Sequence, residues 1–415
     1  MKRDRSSTET GFLYSIANSG QYDRLITYLG SSEPRAVRKK AANLLTQSLE
    51  SLVEQDTDPI IEKLYTTVLV ESDESVRADI IEVLIYIADS PIDTLVTKIE
   101  SREYPTPTGS PPPLLYVGWL DSRHVELRLV AVAGLGRVGT KQVVPKLVVA
   151  CRDDDKRIQI RALDELGEIG DPRCVDAVKT CLQTTDRDVK TAAAHCLARI
   201  GTADALAAIM PLSKKGDLRL RRAIVSELGT TGSISVFGIL LREIANPESR
   251  LKESAIRSAV ELIAHAKPSN SHAVRITVGT HLEQVADEDT IDTLSAVAEA
   301  PTPQIRRNAI WLLCQLIDPA AHTESLDKLI AAITDDDETT AKMTVSKLAK
   351  CRDPVVIDRL EAFIKTHDVD SRACRRADYI RDQIEKKTPD DRLKDAVEYT
   401  KVSDPADYTK KHANE

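Results

Sequence analysis

The chain repeats one helical pattern at a fixed interval of 31 residues, and this period constrains the fold more than any other feature. An aliphatic residue leads each copy, at Leu127, Ile158, Val189, Leu220 and Leu251. Eight positions later stands a leucine in four copies and Ala259 in the fifth. Repeats of this length are typical of solenoids, whose stacked units share one core and present long binding surfaces. We therefore expect an all-α protein that binds other macromolecules.

The segment Asp186–Leu212 illustrates one unit. Asp186 can cap the first exposed N–H groups of a helix, and apolar residues then recur at helical spacing from Val189 to Ile200. Gly201 can end that helix, and a second amphipathic helix follows over 203–212. Each unit is thus a helical hairpin that cannot bury its apolar faces alone. The pattern predicts an α-solenoid of about ten such hairpins.

A basic residue often follows the leading aliphatic. These residues are Arg38, Arg77, Arg128, Lys190, Arg221, Lys252, Arg306 and Arg372. They can form a structural ladder with the acidic residues of adjacent repeats, or a basic stripe that binds phosphate. Acidic residues recur at the same period and should neutralise such a stripe, which favours the structural interpretation.

Composition limits the partners and the compartment. The formal charge of −8 and the aromatic content of 4% disfavour a nucleic-acid-binding surface. The seven cysteines are never spaced as CxxC, which suggests reduced, mostly buried thiols. No apolar run approaches a membrane span, and the N-terminus lacks the apolar segment of a secretory signal. We expect a cytoplasmic protein without membrane insertion.

The period breaks in two places and divides the chain into five segments. We predict irregular repeats over 1–103, a Pro-rich insertion or linker over 104–120, regular repeats over 121–266, degenerate repeats over 267–387 and a polar flexible tail over 388–415. Proline at the density found in 104–113 favours polyproline II. Tyr116 and Trp119 are expected to cover the end of the core. The second break, from Leu251 to Ile305, holds extra helical segments, so it contains a degenerate repeat or a three-helix variant.

The sequence contains no catalytic, cofactor-binding or metal-binding motif in the structural context that its chemistry requires. Gly134, Gly136 and Gly139 match the dinucleotide-binding GxGxxG pattern, but here the glycines close a helix instead of opening one. HExxH, GxSxG and zinc-spaced Cys/His sets are absent from the sequence. We therefore predict a protein that is not an enzyme and needs no cofactor or metal.

The stretches Leu127–Cys151 and Ile158–Leu182 resemble HEAT repeats of the short type named after the phycobilisome lyases. Degenerate copies extend this resemblance over nearly the whole chain. It implies an α-α superhelix but leaves the activity open, because such repeats occur in bilin lyases, in deoxyhypusine hydroxylase and in many non-enzymatic adaptors. None of the eight histidines is followed by glutamate, whereas that hydroxylase holds its iron with His-Glu pairs. The chain as a whole also resembles HEAT-repeat proteins of halophilic archaea that accompany taxis adaptors.

We expect such an array to bind proteins along the concave face, which the second helices of HEAT repeats line. Two alternatives stay open: a bilin-lyase-like enzyme or chromophore chaperone, which would need a pigment pocket, and a nucleic-acid-binding HEAT-like protein. We predict an apolar docking surface that includes Met210 and Leu241. For Phe237 a position in the core is the favoured alternative, because its equivalents in earlier repeats, Val144, Val175 and Leu206, have the pattern of buried residues. The full set of candidate partner-binding residues is Lys179, Met210, Phe237, Ile239, Leu241, Tyr399 and Tyr408.

Overall fold

The computed structural model describes residues 3–54, 56–101, 111–351, 353–368 and 371–385. All regular structure in these ranges is helical, without a β-strand. The all-α prediction is therefore confirmed. The chain divides into two compact units, Met1–Ile200 and Gly201–Glu415.

Within the described ranges, the helices of the first unit are α1 (Arg3–Asn18), α2 (Tyr22–Thr27), α3 (Arg35–Gln47), α4 (Leu49–Val53), α5 (Asp58–Val70), α6 (Glu74–Ile87), α7 (Pro91–Glu100), α8 (Pro112–Leu120), α9 (Val125–Val138), α10 (Val144–Ala150), α11 (Lys156–Ile169), α12 (Val175–Cys181) and α13 (Arg187–Ile200). Those of the second unit are α14 (Ala203–Lys215), α15 (Leu218–Leu228), α16 (Phe237–Ile244), α17 (Lys252–Ala264), α18 (Ser271–Val285), α19 (Glu288–Val297), α20 (Pro303–Leu316), α21 (Thr323–Ala331), α22 (Glu338–Leu348), α23 (Pro354–Thr366) and α24 (Arg372–Glu385).

The repeat register predicted from the sequence is confirmed by burial. Every leading aliphatic residue, from Leu127 to Leu251, is at most 5% exposed. The residues eight positions later, from Leu135 to Ala259, are all 0% exposed. The two positions therefore mark the core-facing side of the first helix in each regular repeat.

Glycine ends the first helices of the regular repeats, as predicted. Gly139, Gly170 and Gly201 have φ angles of 65°, 65° and 64°, the left-handed conformation that other residues adopt at a cost. The second helix α14 then begins at Ala203, with the Thr202 side chain accepting the N–H of Ala205 at 3.3 Å. The two helices predicted over 186–212 are thus both present, as α13 and α14.

First helices of consecutive repeats pack closely against one another within each unit. In the first unit, α9 packs on α11 and α11 on α13; in the second, α15 packs on α17 and α20 on α22. Small residues permit this approach: a Cβ atom added to Gly167 would lie 3.2 Å from the Cα atom of Cys196 on the next first helix. The core is therefore shared between neighbouring hairpins, as expected for a repeat array.

Both breaks in the period contain one more helix than a regular repeat. Between the first helices α6 and α9 lie α7 and α8, and between α17 and α20 lie α18 and α19. The segment from Leu251 to Ile305 therefore contains three helices, α17, α18 and α19, in agreement with the three-helix variant. Within the described ranges, each break thus adds a helix to the array.

The predicted Pro-rich insertion or linker over 104–120 is helical over its second half, because α8 begins at Pro112 and ends at Leu120. Proline at the first positions of a helix is tolerated, since the N–H groups there have no intrahelical acceptor. Tyr116 and Trp119 of this helix are 0% and 4% exposed, as expected for residues that cover the core. Residues 102–110 of the linker and the tail predicted over 388–415 lie outside the described ranges.

Four of the basic residues that follow a leading aliphatic clamp a carboxylate in the same way. The pairs, with nitrogen–oxygen distances between 2.7 and 3.0 Å, are Arg38 with Glu71, Arg128 with Asp153, Arg221 with Glu243 and Arg306 with Asp335. Each guanidinium also donates to a backbone carbonyl that precedes its own helix. The structural interpretation of the ladder is confirmed at these positions: Arg38, Arg128 and Arg306 each link two successive inter-repeat segments, and Arg221 links the last turns of α14 and α16.

Aspartate caps begin many of the helices. Asp171 accepts the backbone N–H of Arg173 at 2.9 Å and its guanidinium at 2.7 Å. The Arg173 side-chain hydrogen bonds, followed by the backbone N–H bond, lower the pKa of Asp171 to about 2. Because an unfolded aspartate titrates near pH ~3.9, this cap stabilises the fold above about pH 4, and the contribution is lost as the pH falls toward 2.

We therefore expect Asp171→Asn to lower the melting temperature at pH 7. The difference from the wild type should shrink between pH 4 and pH 2.5, because the unfolded aspartate becomes protonated there while the native carboxylate, with its pKa of about 2, is still mostly ionised. Circular dichroism melts at these pH values measure the effect. The control is Asp176→Asn on α12, whose side chain is 94% exposed, and it should melt like the wild type. A difference for Asp171→Asn that stays constant from pH 7 to 2.5 would contradict the assignment.

Candidate functional site

Two of the predicted docking residues reach the surface of the second unit. Met210 on α14 is 36% exposed, and Leu241 on α16 is half-buried. Both helices are second helices of their repeats, and they meet where the Arg242 guanidinium of α16 donates to the carbonyl of Ser213 in α14 at 3.1 Å. Met210 and Leu241 therefore lie on neighbouring helices in the same layer.

The prediction that Phe237 and Ile239 line a binding surface is wrong. Each is 4% exposed, and the Phe237 ring packs edge-on against His281 of α18 with ring centroids 5.8 Å apart. Ile239 lies two positions from each of the other two and points in a different direction on the helix, so the three cannot share one surface. Of these three positions, only Leu241 is left at the surface.

Of the remaining predicted residues, the structure describes Lys179 alone. Lys179 belongs to α12 of the first unit, where its ammonium group lies 3.4 Å from the Asp176 carboxylate. Tyr399 and Tyr408 lie outside the described residues.

The solvent-facing side of α14 carries four apolar residues. Ala203, Ala207, Met210 and Pro211 are all exposed and follow one another at helical spacing, with the exposed Asp204 in the first turn. Pro211 lies inside the helix and has no N–H group, so the Ala207 carbonyl lacks its usual intrahelical donor. This side of the helix offers apolar surface together with one backbone acceptor.

Positive charge extends this surface at the C-terminal end of α14. Lys214 and Lys215 are exposed, and neither forms an ion pair within the part of the chain that the structure describes. We call the exposed residues Ala207, Met210, Pro211, Lys214 and Lys215, together with the half-buried Leu241, the apolar–basic face. Inspection of the helical spacing of 203–215 could have found the proline and lysines, because 207, 211 and 214 share a face with Met210.

A buried carboxylate anchors the helices beneath this face. The Ser213 carbonyl accepts hydrogen bonds from Arg221 at 3.2 Å and Arg242 at 3.1 Å, and both guanidiniums also bind Glu243. Burial alone would raise the pKa of Glu243, but hydrogen bonds from Ser249, Arg242 and Arg221 outweigh it and lower that pKa. The ionised Glu243 therefore pairs with Arg221 and Arg242, and it forms no ion pair with either lysine of the face in the described part of the chain.

The first unit contains two surface clefts. One, of about 370 Å³, lies near the start of α6 and is lined by Arg35, Asp73, Ser122 and His124 among others. Its polar groups already bond to one another, with Arg35 paired to Asp73 and the Ser122 hydroxyl 3.2 Å from Glu74. The other, of about 410 Å³, lies between α2 and α5. Neither gathers residues that indicate catalysis.

The described ranges contain no group of three or more His, Cys, Asp or Glu residues placed to hold a metal ion. Nor does any helix in them have the length and apolarity needed to cross a membrane. All seven cysteines are free thiols, and five of them are buried. Burial raises the pKa of the Cys314 thiol to about 12.

Several solved structures share helical architecture with the chain. An engineered protein is 15% identical, with a TM-score of 0.42, and the match covers 88% of this chain and 99% of that one. Human deoxyhypusine hydroxylase in complex with glycerol is 18% identical, with a TM-score of 0.26 over 60% of this chain and 99% of that one. The complex of CpcE and CpcF of phycocyanin lyase from Nostoc is 19% identical, with a TM-score of 0.25 over 66% and 94% of the chains.

No curated protein matches the chain. The resemblance to taxis-associated proteins of archaea has no counterpart in these findings. The model of HEAT repeats, in contrast, matches residues 114–198, 182–260 and 291–377, which together cover more than half of the sequence. On this evidence the chain belongs to the HEAT-repeat family.

Proposed function

We propose that the protein is a non-catalytic scaffold that binds partner proteins through the apolar–basic face of its second unit. The supporting observation is the exposed apolar surface of α14, where Met210 and Pro211 stand beside two solvent-facing lysines. Apolar side chains gathered at the surface with a charged rim are typical of recognition sites.

The position of the face in the repeats agrees with this proposal. HEAT arrays bind partners mainly along the layer of second helices, and α14 and α16 both belong to that layer. We further propose that the protein acts in the cytoplasm and without a cofactor. The seven free thiols, all of them in described residues, suit a reducing compartment.

The double variant Met210→Asp/Leu241→Asp tests the proposal. Two carboxylates on the apolar surface should reduce the amount of a specific partner captured from cells of the native host by about tenfold or more, because they would have to be desolvated on binding. Affinity capture followed by quantitative mass spectrometry measures this loss.

Ile276→Asp on α18 is the matched control, because Ile276 is 44% exposed and lies outside the face. It should capture the same partner as the wild type. Circular dichroism must show unchanged helical content in all variants. Equal capture by the double variant and the wild type would exclude the face as the docking site.

A further inference from the structure

We infer that the partner segment bound by the apolar–basic face is acidic and carries apolar side chains between its carboxylates. This inference rests on the proposed function and specifies the chemistry of the partner. It follows from the local charge, from the identity of the exposed side chains and from the dimensions of the face.

The charge of this region is opposite to that of the whole chain. Residues 207–250 contain seven Lys and Arg against four Asp and Glu, while the full sequence carries a formal charge of −8. Two of the four acids have structural partners: Glu243 is bound by arginines, and Asp217 accepts the backbone N–H of Leu220 at 2.9 Å. The two lysines of the face have no such partner among the described residues.

The apolar part of the face distinguishes an acidic protein segment from a nucleic acid. Ala207, Met210, Pro211 and Leu241 provide no aromatic ring on which a base could stack. They also provide no donor that reads a base edge. Their methyl, methylene and thioether groups are instead suited to aliphatic side chains, which a phosphodiester backbone does not supply.

The size of the face sets the length of the segment. From residue 207 to residue 215 the helix axis rises by about 12 Å at ~1.5 Å per residue. An amphipathic helix of about two turns spans the same distance. Its aliphatic residues would contact Met210 and Leu241, and its carboxylates would reach Lys214 and Lys215. Part of the affinity would then be electrostatic and would fall as salt is added.

The test uses the full-length chain and a defined probe. A fluorescein-labelled peptide of 16 residues, built from Glu and Asp with Leu at every third or fourth position, is titrated by fluorescence anisotropy at 50 and 300 mM NaCl. Two comparison probes are used. One is the same peptide with Gln in place of every Glu and Asp, and the other is a single-stranded DNA with the same net charge as the acidic peptide. We expect the acidic peptide to bind at least tenfold more tightly than either, and to weaken about tenfold at the higher salt.

Charge reversal locates the binding site. Lys214→Glu/Lys215→Glu should weaken binding of the acidic peptide at least tenfold, and Met210→Ser should weaken its binding about threefold. The matched control Lys267→Glu/Lys350→Glu changes the net charge equally at exposed positions of the same unit, and it should bind as the wild type does.

Three outcomes would overturn the inference: equal binding of the acidic and Gln peptides, no effect of the Lys214/Lys215 reversal, or tighter binding of the DNA at the same residues. If Met210→Asp/Leu241→Asp abolishes cellular capture while the acidic peptide does not bind, the docking function stands and the acidic partner is wrong. If that variant leaves capture unchanged, the docking function itself is wrong.

Discussion

Replacing Gly229 by alanine is expected to destabilise the protein by about 2–3 kcal/mol, because the added methyl group meets backbone atoms of the next repeat. A Cβ atom at this position would lie 2.6 Å from the carbonyl oxygen of Ser258 and 2.8 Å from the Cβ atom of Glu261, both on α17. Neither atom can move without a shift of α17 against α15. Unfolding in guanidinium chloride, monitored by circular dichroism, measures the loss in the free energy of unfolding.

Gly238→Ala is the matched control for this substitution. Gly238 lies within α16, is exposed and has no atom within 4 Å of its added Cβ. Alanine lowers the entropy of the unfolded chain and favours the helix, so this variant should gain about 0.5–1 kcal/mol. A free energy of unfolding for Gly229→Ala equal to that of the wild type would show that the two helices do not pack as closely as described.

Arg306→Met should cost about 3 kcal/mol, because it leaves the Asp335 carboxylate without its counter-ion. The Arg306 guanidinium binds both carboxylate oxygens of Asp335, at 2.7 and 2.8 Å, and donates to the carbonyl of Ala300 at 2.9 Å. The Asp335 side chain is only 9% exposed, so water cannot replace these bonds fully. Urea unfolding of the variant and of the wild type measures the change in the free energy of unfolding.

The double variant Arg306→Met/Asp335→Leu should recover most of that loss, because no unpaired charge then stays buried. The control Arg359→Met breaks an ion pair to Asp327 whose partners are 40% and 50% exposed. Such a surface pair contributes at most ~1 kcal/mol. If Arg306→Met and Arg359→Met had equal effects, the clamps would not stabilise the junctions between repeats.

The period of the sequence was sufficient to predict the hairpins and their core. An aliphatic residue recurs every 31 positions, as at Leu127 and Ile158. Such a position must have the same environment in each stacked unit, and that environment is the shared core. The aspartate caps and the glycine ends of the helices are local devices, so short-range rules recover them as well.

Three features were not predicted from the sequence, and the first of them depends on contacts between distant residues. The ladder of arginines was expected to meet the capping aspartates, but in three of the clamps the carboxylate lies two residues before the cap, as Asp153 does before Asp155. Ile239 was misplaced because a short apolar helix does not indicate by composition which side faces the core, whereas the core position favoured for Phe237 from its repeat equivalents is confirmed. Pro112 was interpreted as part of a linker because its position in the first turn of α8 was not recognised.

A photocrosslinking experiment in cells of the native host tests the docking surface most directly. The photoreactive amino acid p-benzoylphenylalanine is placed at position 210 in one variant and at position 276 in another, both exposed sites of the second unit. The proposed function predicts a covalent adduct with a partner protein at position 210 and none at position 276. The absence of an adduct at position 210, or the same adduct at both positions, would contradict the proposed function.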